Sequence, residues 1–341
     1  MELRVKNHYI QEAYLRNWES TPGKVFLYQK LVSHENVPLW SERQINGIAY
    51  RKQLYSRPFS ENREDEIERW FADEFESPAW PVIQNVINEE RLTPDNWTKL
   101  ALFLALHDLR TPARLLEHLD RYTKFVDKEF YKILLDATQK IEQGHQRNVP
   151  INDASLTLPL KITTEIKEDE EFGILKAETA ASRASWLWAI EHQLRNTVNI
   201  LHKHKWRIMH SAKGLWWFTT DKPVIRLNFF SKERYNFNGG WDCKGSEILM
   251  PLSPEHMLYT KVGHYPPPRG SRFSEEQTIL LRRIIAQHAH RYVYANTADD
   301  EVTRLVTRIV DRKKFKYEEV QWERWHSEQT ESEKYFFRGN D

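Results

Sequence analysis

Apolar positions in the first half of the chain follow a helical spacing. From Ile67, further apolar residues stand three, four and eight positions later, which is the period of one buried helix face. Acidic residues crowd the segment that follows Glu61, where the helix dipole favours negative charge. We therefore predict a helix that opens near Glu61 and is bent or broken at Pro78 and Pro81.

Two more helix starts share one signature, a threonine followed by a proline. Thr93-Pro94 and Thr111-Pro112 each supply a capping residue and then a proline at the first helical position. The pattern predicts one helix from Pro94 through His107 and another over residues 113–141. Arg110 is then expected at the corner between two helices.

The second half of the chain has a different pattern. A long helix is predicted over residues 176–204, and short apolar runs separated by turn residues follow it, which is typical of antiparallel strands. The predicted strands cover residues 205–210, 215–219, 224–227, 247–250 and 257–260, and predicted helices cover 274–290 and 299–310. We expect an α+β fold, with a predominantly helical N-terminal part and an antiparallel sheet in the C-terminal half flanked by helices.

The polar stretch over residues 145–172 is the best candidate for a domain boundary. It contains two prolines and an acidic run at residues 168–171. Residues 1–341 are predicted to form one compact unit. The alternative is a division into a mainly helical part (1–150) and a helix-plus-sheet part (171–318), with a polar tail at 319–341.

Composition narrows the class of protein. Apolar residues make up 40% and aromatic residues 13% of 341 positions, enough to bury a large core. The net charge of +1 excludes a strong overall field towards nucleic acid or a membrane. A single cysteine, Cys243, excludes an intrachain disulfide. The charged N-terminus and the short aliphatic run at 100–106 predict a cytoplasmic protein with no membrane partner.

Five segments together resemble a bacterial family known as domain of unknown function 4238. The segments are Asn7–Trp18, Ile67-Glu68, Arg110–Pro112, Thr219–Val224 and Pro251–Pro254. Asn7 stands where the family usually has a first histidine, and Gln11 where it has a proline. The resemblance implies a soluble α+β domain and carries no established activity with it.

Three residues within these segments have side chains suited to phosphoryl chemistry. His8 is a candidate general acid, general base or metal ligand. Asp221 is a candidate base or metal ligand at the end of a strand, and Arg110 could bind a phosphate or carboxylate. Each also has a structural interpretation. His8 could hydrogen-bond the backbone at the start of the first helix, and Asp221 could cap a turn. Arg110 could interact favourably with the negative end of a helix dipole.

Several other polar residues also have both a functional and a structural interpretation. Arg16, Lys222, Arg304 and Arg308 are candidate anion-binding residues, and the last two are predicted at i, i+4 on one helix. Basic residues beside aromatic ones can bind phosphates and stack bases. They also occur as a solvated helix face. His107 is predicted to be buried with its hydrogen bonds satisfied. Ser253-Pro254 is predicted to cap a helix, which argues against Ser253 as a nucleophile.

Two functional hypotheses of different classes remain open. The first is a cytoplasmic, nuclease-like hydrolase that acts on a phosphodiester or nucleic-acid substrate, with His8, Asp221 and Arg110 as its catalytic set and a divalent metal as an open requirement. The alternative is a non-catalytic module that binds nucleic acid or protein. A defence or toxin-type effector role in bacteria is compatible with both hypotheses.

Overall fold

The computed structural model describes residues 6–56, 66–124, 131, 135, 160–166, 173–196 and 198–337. The end of the helix predicted over 113–141 and most of the predicted boundary at 145–172 lie outside the described residues.

The helices are distributed along the whole described chain. They are α1 (Glu12–Leu15), continued by a 3-10 turn (Arg16–Trp18), then α2 (Glu66–Phe71), a π-helical segment (Ala72–Glu76), α3 (Ser77–Ile87), α4 (Pro94–Leu109), α5 (112–124), α6 (Arg183–Asn196), α7 (Val198–Leu201), α8 (Glu275–His288), α9 (Asp300–Leu305) and α10 (Arg312–Phe337).

The strands are short and begin at the N-terminal end of the described chain. They are β1 (Lys6–His8), β2 (Lys24–Gln29), β3 (Leu31–Val32), β4 (Trp40–Gln44), β5 (Tyr50–Lys52), β6 (Leu160–Ile166), β7 (Gly173–Thr179), β8 (Arg207–His210), β9 (Thr219–Thr220), β10 (Ile225–Phe229), β11 (Tyr235–Asn236), β12 (Glu247–Pro251), β13 (His256–Lys261), β14 (Tyr292–Ala295) and β15 (Ile309–Val310).

Two antiparallel sheets organise the described part of the chain. One has the strand order β11-β10-β12-β13-β8, and the other has the order β4-β2-β14-β9. The second sheet combines strands from both ends of the sequence, because β2 and β4 pair with β14 and β9 from the C-terminal half. Helices and antiparallel sheets together make this an α+β fold, as predicted, although the N-terminal part also contains strands β1–β5, all of which precede α2.

The two threonine–proline starts begin helices, as predicted. Thr93 accepts a hydrogen bond from the Asn96 backbone N–H, and the Asn96 side chain accepts one from the Thr93 N–H, which forms a capping box. Helix α4 ends at Leu109, and Arg110 is its C-terminal cap. Because helix α5 begins at residue 112, Arg110 lies at the predicted corner.

The helix predicted over 176–204 is wrong at its start. Residues 173–179 form β7, which pairs in antiparallel register with β6. The helix begins only at Arg183, where Ser182 and Ser185 exchange hydrogen bonds between their hydroxyls and backbone N–H groups. This reciprocal cap fixes the helix start, and the alternating residues before it pair as a strand.

The helix predicted from near Glu61 continues through its prolines. Pro78 lies in the first turn of α3, where its missing N–H is not needed. Pro81 lies inside the same helix. The preceding π-helical segment joins α2 to α3, so Ile67 and Phe75 face the core from one helical rod.

Several boundaries in the C-terminal half differ from the predicted ones. Only Thr219 of the predicted strand 215–219 enters a sheet, because the Trp217 N–H donates to the Pro254 carbonyl instead of to a neighbouring strand. The predicted helix cap at Ser253 is wrong, since Ser253 lies in the turn between β12 and β13. Helix α9 ends at Leu305.

The last segment of the chain is helical through Phe337. Residues 319–337, predicted as part of a polar tail, belong to α10. Trp325 and Glu333 of this helix are buried. The Glu333 carboxylate binds Arg183 of α6 through two hydrogen bonds, at 3.2 Å from Nε and 2.6 Å from Nη2. Packing on the body of the protein, which the sequence pattern did not reveal, explains why the helix forms.

We expect Arg183→Met to lower the free energy of unfolding by about 3–5 kcal/mol, because it leaves the buried Glu333 carboxylate without its counter-charge. Urea unfolding followed by circular dichroism measures the loss. The matched control is Lys124→Met, which removes an exposed pair with Asp120 and should cost little. Equal losses in the two variants would contradict the assignment.

Candidate functional site

Asp221 is a buried carboxylate bound to backbone. Its two oxygens accept hydrogen bonds from the N–H groups of His290 and Arg291, at 2.9 and 2.7 Å. Burial raises the pKa of Asp221 to about 6, and the backbone hydrogen bonds oppose that rise. The side chain therefore joins the end of β9 to the segment that enters β14.

Arg110 is buried and its guanidinium is engaged by the fold. Its Nε donates to the Tyr9 carbonyl at 3.1 Å, and its Nη2 lies 2.5 Å from a Glu76 carboxylate oxygen. The same Nη2 lies 3.2 Å from His107 Nε2. His107 is fully buried, and burial together with Arg110 lowers its pKa well below the usual range. The neutral ring donates from Nδ1 to the Phe103 carbonyl, which confirms a buried and satisfied histidine.

His8 and Arg110 line a common cavity of about 430 Å³, which we call the motif pocket. His8 lies 3.4 Å from a Glu12 carboxylate oxygen, and burial lowers its pKa while Glu12 opposes that shift. Glu68 and Glu76 also line the pocket. Asp221 is not among its lining residues, so two of the three predicted catalytic residues lie together and the third lies outside the pocket, at the end of β9.

The predicted anion-binding residues are dispersed. Arg16 is half exposed and pairs with Glu19, and Lys222 pairs with Glu117. Arg304 is an exposed residue of α9. Arg308 follows the end of that helix and donates to the Pro38 carbonyl, so the predicted i, i+4 pair on one helix is wrong.

A different group of residues converges at the edge of the larger sheet. His210 ends β8 and His256 begins β13, and the two stand opposite each other in the antiparallel register. Their ring centroids are 5.1 Å apart. Glu89, just after α3, places its carboxylate 3.0 Å from His256 Nε2 and 3.6 Å from His210 Nδ1. We call these three residues and the cavity beside them the histidine cleft.

The three side chains could hold a divalent cation. One ligand atom from each lies within 4.8 Å of the other two. Nitrogen and oxygen ligands about 2.0–2.2 Å from a tetrahedral zinc ion are roughly 3.3 Å apart, a value between the two distances measured from Glu89. His210 Nδ1 is buried and has no hydrogen-bond partner among the described residues. Burial lowers the pKa of His210, which favours the neutral ring that binds metals.

The neighbouring residues orient this cluster. Ser253 Oγ lies 2.7 Å from His256 Nδ1, so a proton on Nδ1 can be donated to the serine while Nε2 keeps its lone pair. Glu89 has a positive φ of 59°, and its carbonyl accepts a hydrogen bond from Arg269. This backbone conformation ends α3 in a Schellman motif, in which the Glu89 N–H donates to the Val86 carbonyl and the Glu90 N–H donates to the Asn85 carbonyl.

The cluster borders a cavity of about 570 Å³. Glu89, Ser253 and His256 line it, and Trp216, 46% exposed, lies along its wall. Asn17 and Asn296 add amide groups. This volume is in the range of small-molecule sites in proteins.

Sequence reasoning did not select the histidine cleft. His210 ends the predicted strand 205–210, and His256 precedes the predicted strand 257–260. Antiparallel pairing of those two strands would have brought the histidines together, which was the available signal. Glu89 carried none, because it approaches the histidines only through tertiary contacts of the turn that follows α3.

These features define the chain as an α+β protein with a cleft formed by two histidines and a glutamate. The chain belongs to the family described as protein of unknown function (DUF4238), which matches residues 6–299 and confirms the family resemblance. No curated protein and no solved structure matches the chain. Within the described ranges, no helix combines the length and the apolar content needed to cross a membrane.

The raised pKa of Asp221 predicts a pH-dependent stability. Between about pH 4 and pH 6 the folded chain keeps the Asp221 proton and the unfolded chain loses it. Stability from this group is therefore lost as pH rises through that window, by roughly 3 kcal/mol. Asp221→Asn removes this pH-dependent component. The free energy of unfolding of the variant, relative to that of the wild type, should therefore rise between pH 4 and pH 7, and urea unfolding measures it.

The exposed Asp242→Asn is the control for this measurement. It makes the same substitution at an exposed position, so the comparison isolates the effect of the buried carboxyl. A pH-independent difference for Asp221→Asn would show that its carboxyl titrates as it does in the unfolded chain.

Proposed function

We propose that the chain is a hydrolase that cleaves a phosphodiester bond in the histidine cleft, with a divalent cation held by Glu89, His210 and His256. The observation that carries this proposal is the convergence of the three ligand atoms within 4.8 Å of one another, beside the cavity of about 570 Å³.

The donor set favours hydrolytic chemistry. Two histidines and one carboxylate leave positions open on a zinc-like cation, and hydrolytic zinc sites use this arrangement. A cation held there would polarise a phosphoryl oxygen and lower the pKa of a bound water. Glu255 also lines the cavity and could take a proton from an attacking water.

Several neighbouring groups support an anionic substrate with an aromatic part. Arg269 and Arg272 are bound to the carbonyls of Glu89 and Ser211, which places two cations beside the ligand cluster. The exposed Trp216 offers a face on which a base could stack. Asn17 has an amide that already donates to the Leu252 carbonyl and keeps an oxygen as an acceptor.

In this proposal His8, Arg110 and Asp221 support the fold, and their catalytic assignment stays a prediction. The guanidinium of Arg110 is neutralised by Glu76, and the Asp221 carboxylate is bound to two backbone N–H groups. These contacts involve Nε and Nη2 of Arg110 and both carboxylate oxygens of Asp221, which supports a structural role for the two side chains.

The alternative function is a non-catalytic module that binds nucleic acid or protein. It is supported by the exposed Trp216 beside the two arginines, since stacking and charge suffice for binding. We also propose a cytoplasmic location, because one cysteine is compatible with a reducing compartment. A defence or toxin-type effector role is compatible with either function.

Metal binding is the first prediction from this proposal. Zn²⁺ or Mn²⁺ should bind the wild-type chain with one equivalent in isothermal titration calorimetry. Replacing one ligand, in His210→Ala or Glu89→Gln, should weaken that binding by at least about tenfold, because it removes a direct bond to the cation. His264→Ala, an exposed histidine outside the cleft, is the control. Equal affinities in all four proteins would rule out the site.

Hydrolysis is the second prediction. The wild-type chain should cleave bis(p-nitrophenyl) phosphate or a fluorescent oligonucleotide when Zn²⁺ or Mn²⁺ is added, and a chelator should stop the reaction. His256→Ala should lower kcat/KM by about 100-fold or more, since it removes a ligand. The exposed His264→Ala should keep wild-type activity.

Ser253→Ala separates two mechanisms at this cleft. If Ser253 only orients His256, the variant should lose about 10- to 100-fold and recover as the metal concentration rises. If Ser253 were the nucleophile, the variant would be inactive, and raising the metal concentration would not restore its activity. A wild-type chain that binds oligonucleotides and cleaves none of them would favour the binding module.

A further inference from the structure

Another cavity, of about 790 Å³, lies between the smaller sheet and helix α10. Its walls include Tyr9, Tyr292 and Tyr294 from the sheet side and Phe315 and Trp322 from α10. We call it the aromatic cavity. It is separate from the histidine cleft, and no lining residue is shared by the two.

The shape and lining of this cavity suit a planar ring. Tyr292 and Tyr294 stand two residues apart on β14, with nearly parallel rings whose centroids are 6.4 Å apart. Tyr292, Phe315 and Trp322 are only partly buried, so part of each ring is open to the cavity. Aromatic faces of this kind stack nucleobases and accept any base, because every base has a π-face.

Within the described ranges, Arg51 supplies a positive charge that no carboxylate pairs with. Its guanidinium lies over the Trp322 ring, 4.8 Å from the centroid. Its Nε is buried without a hydrogen-bond partner, and no carboxylate of the described residues lies within ion-pair distance of Arg51. A guanidinium stacked on an aromatic ring keeps its N–H edge free, and that edge matches the geometry of a phosphate. By contrast, Arg291 in the same cavity is paired with Glu318.

Polar groups on the cavity wall could read the edge of a base. Gln29 and Gln53 carry amides that can both donate and accept hydrogen bonds. The exposed Glu319 and Glu323 of α10 can accept from the amino group of cytosine, adenine or guanine. The cavity therefore combines ring stacking, hydrogen bonding to base edges and the guanidinium of Arg51, which has no ion-pair partner among the described residues.

We propose that the aromatic cavity binds a nucleotide unit, with the base among Tyr292, Phe315 and Trp322 and the phosphate on Arg51. The unit is either a free nucleoside monophosphate or one residue of a single-stranded nucleic acid, which share this chemistry. The site does not depend on the hydrolase proposal, because it contains none of the residues of the histidine cleft.

The test is calorimetric titration of the full chain, in the presence of a chelator and with His210→Ala as the background. The probes are AMP, CMP, adenosine, inorganic phosphate and five-residue oligo(A) and oligo(dT). The monophosphates should bind with one equivalent, and adenosine and phosphate alone should bind at least about tenfold more weakly than AMP, since each supplies half of the recognition. Oligonucleotides that bind more tightly than AMP would identify a strand as the source, and the reverse order would identify a free nucleotide.

Two variants and their matched controls localise the binding. Trp322→Leu keeps apolar volume and removes the stacking face, and Arg51→Gln removes the charge. Each should weaken AMP binding by at least about tenfold. Tyr317→Leu and Arg312→Gln, both exposed on α10 outside the cavity, should bind as the background protein does.

Circular dichroism and the melting temperature establish that each variant is folded. If Trp322→Leu does not fold, Arg51→Gln, which alters a side chain at the cavity surface, decides the question. The proposal is overturned if none of the nucleotides binds at millimolar concentration, or if folded Arg51→Gln binds AMP as tightly as Arg312→Gln.

Discussion

The buried hydroxyl of Tyr14 constrains the rest of the structure. It donates to the Pro251 carbonyl at 2.6 Å and lies 2.7 Å from the Thr219 hydroxyl, so one side chain joins α1 to β9 and β12. Two residues of the following turn add to this connection, because Asn17 donates to Leu252 and Trp18 donates to Trp217. A buried polar group without such partners would cost several kcal/mol. The two sheets are therefore fixed relative to the first helix.

Buried polar groups need hydrogen-bond partners, and this need explains why two motif residues that resemble part of a catalytic set are bound by other groups of the fold. Arg110 binds the Tyr9 carbonyl, Glu76 and His107, and Asp221 binds two backbone N–H groups. A buried charge is tolerated only with partners of this kind. Two histidines are contrasting cases, since His210 Nδ1 in the histidine cleft and His8 Nε2 in the motif pocket are each buried without a hydrogen-bond partner in the described part of the chain. Strand β14 connects the functional candidates, because Tyr292 and Tyr294 line the aromatic cavity and Asn296, just past its end, lines the cleft.

Local signals in the sequence were enough for some elements and insufficient for others. The cap at Thr93 acts through residues three positions away, and the corner at Arg110 follows from the proline at 112, so both were predictable. The helix start at Arg183 was not, because β6 pairs with the residues before it and displaces a helical pattern. Helix α10 was also missed, since its polar sequence is held by contacts such as Glu333 with Arg183.

The sequence by itself determined the α+β class, the family and strands β8, β10, β12 and β13 of the larger sheet, because these depend on residue spacing and local turn chemistry. It also identified His8, Arg110 and Asp221 as candidate functional residues. It did not decide which of them would form buried hydrogen bonds within the fold. Only the tertiary structure decided that Glu89, His210 and His256 meet. Strand pairing brings the two histidines together. Glu89 lies more than a hundred positions before each of them, and contacts over such a separation leave no local pattern in the chain.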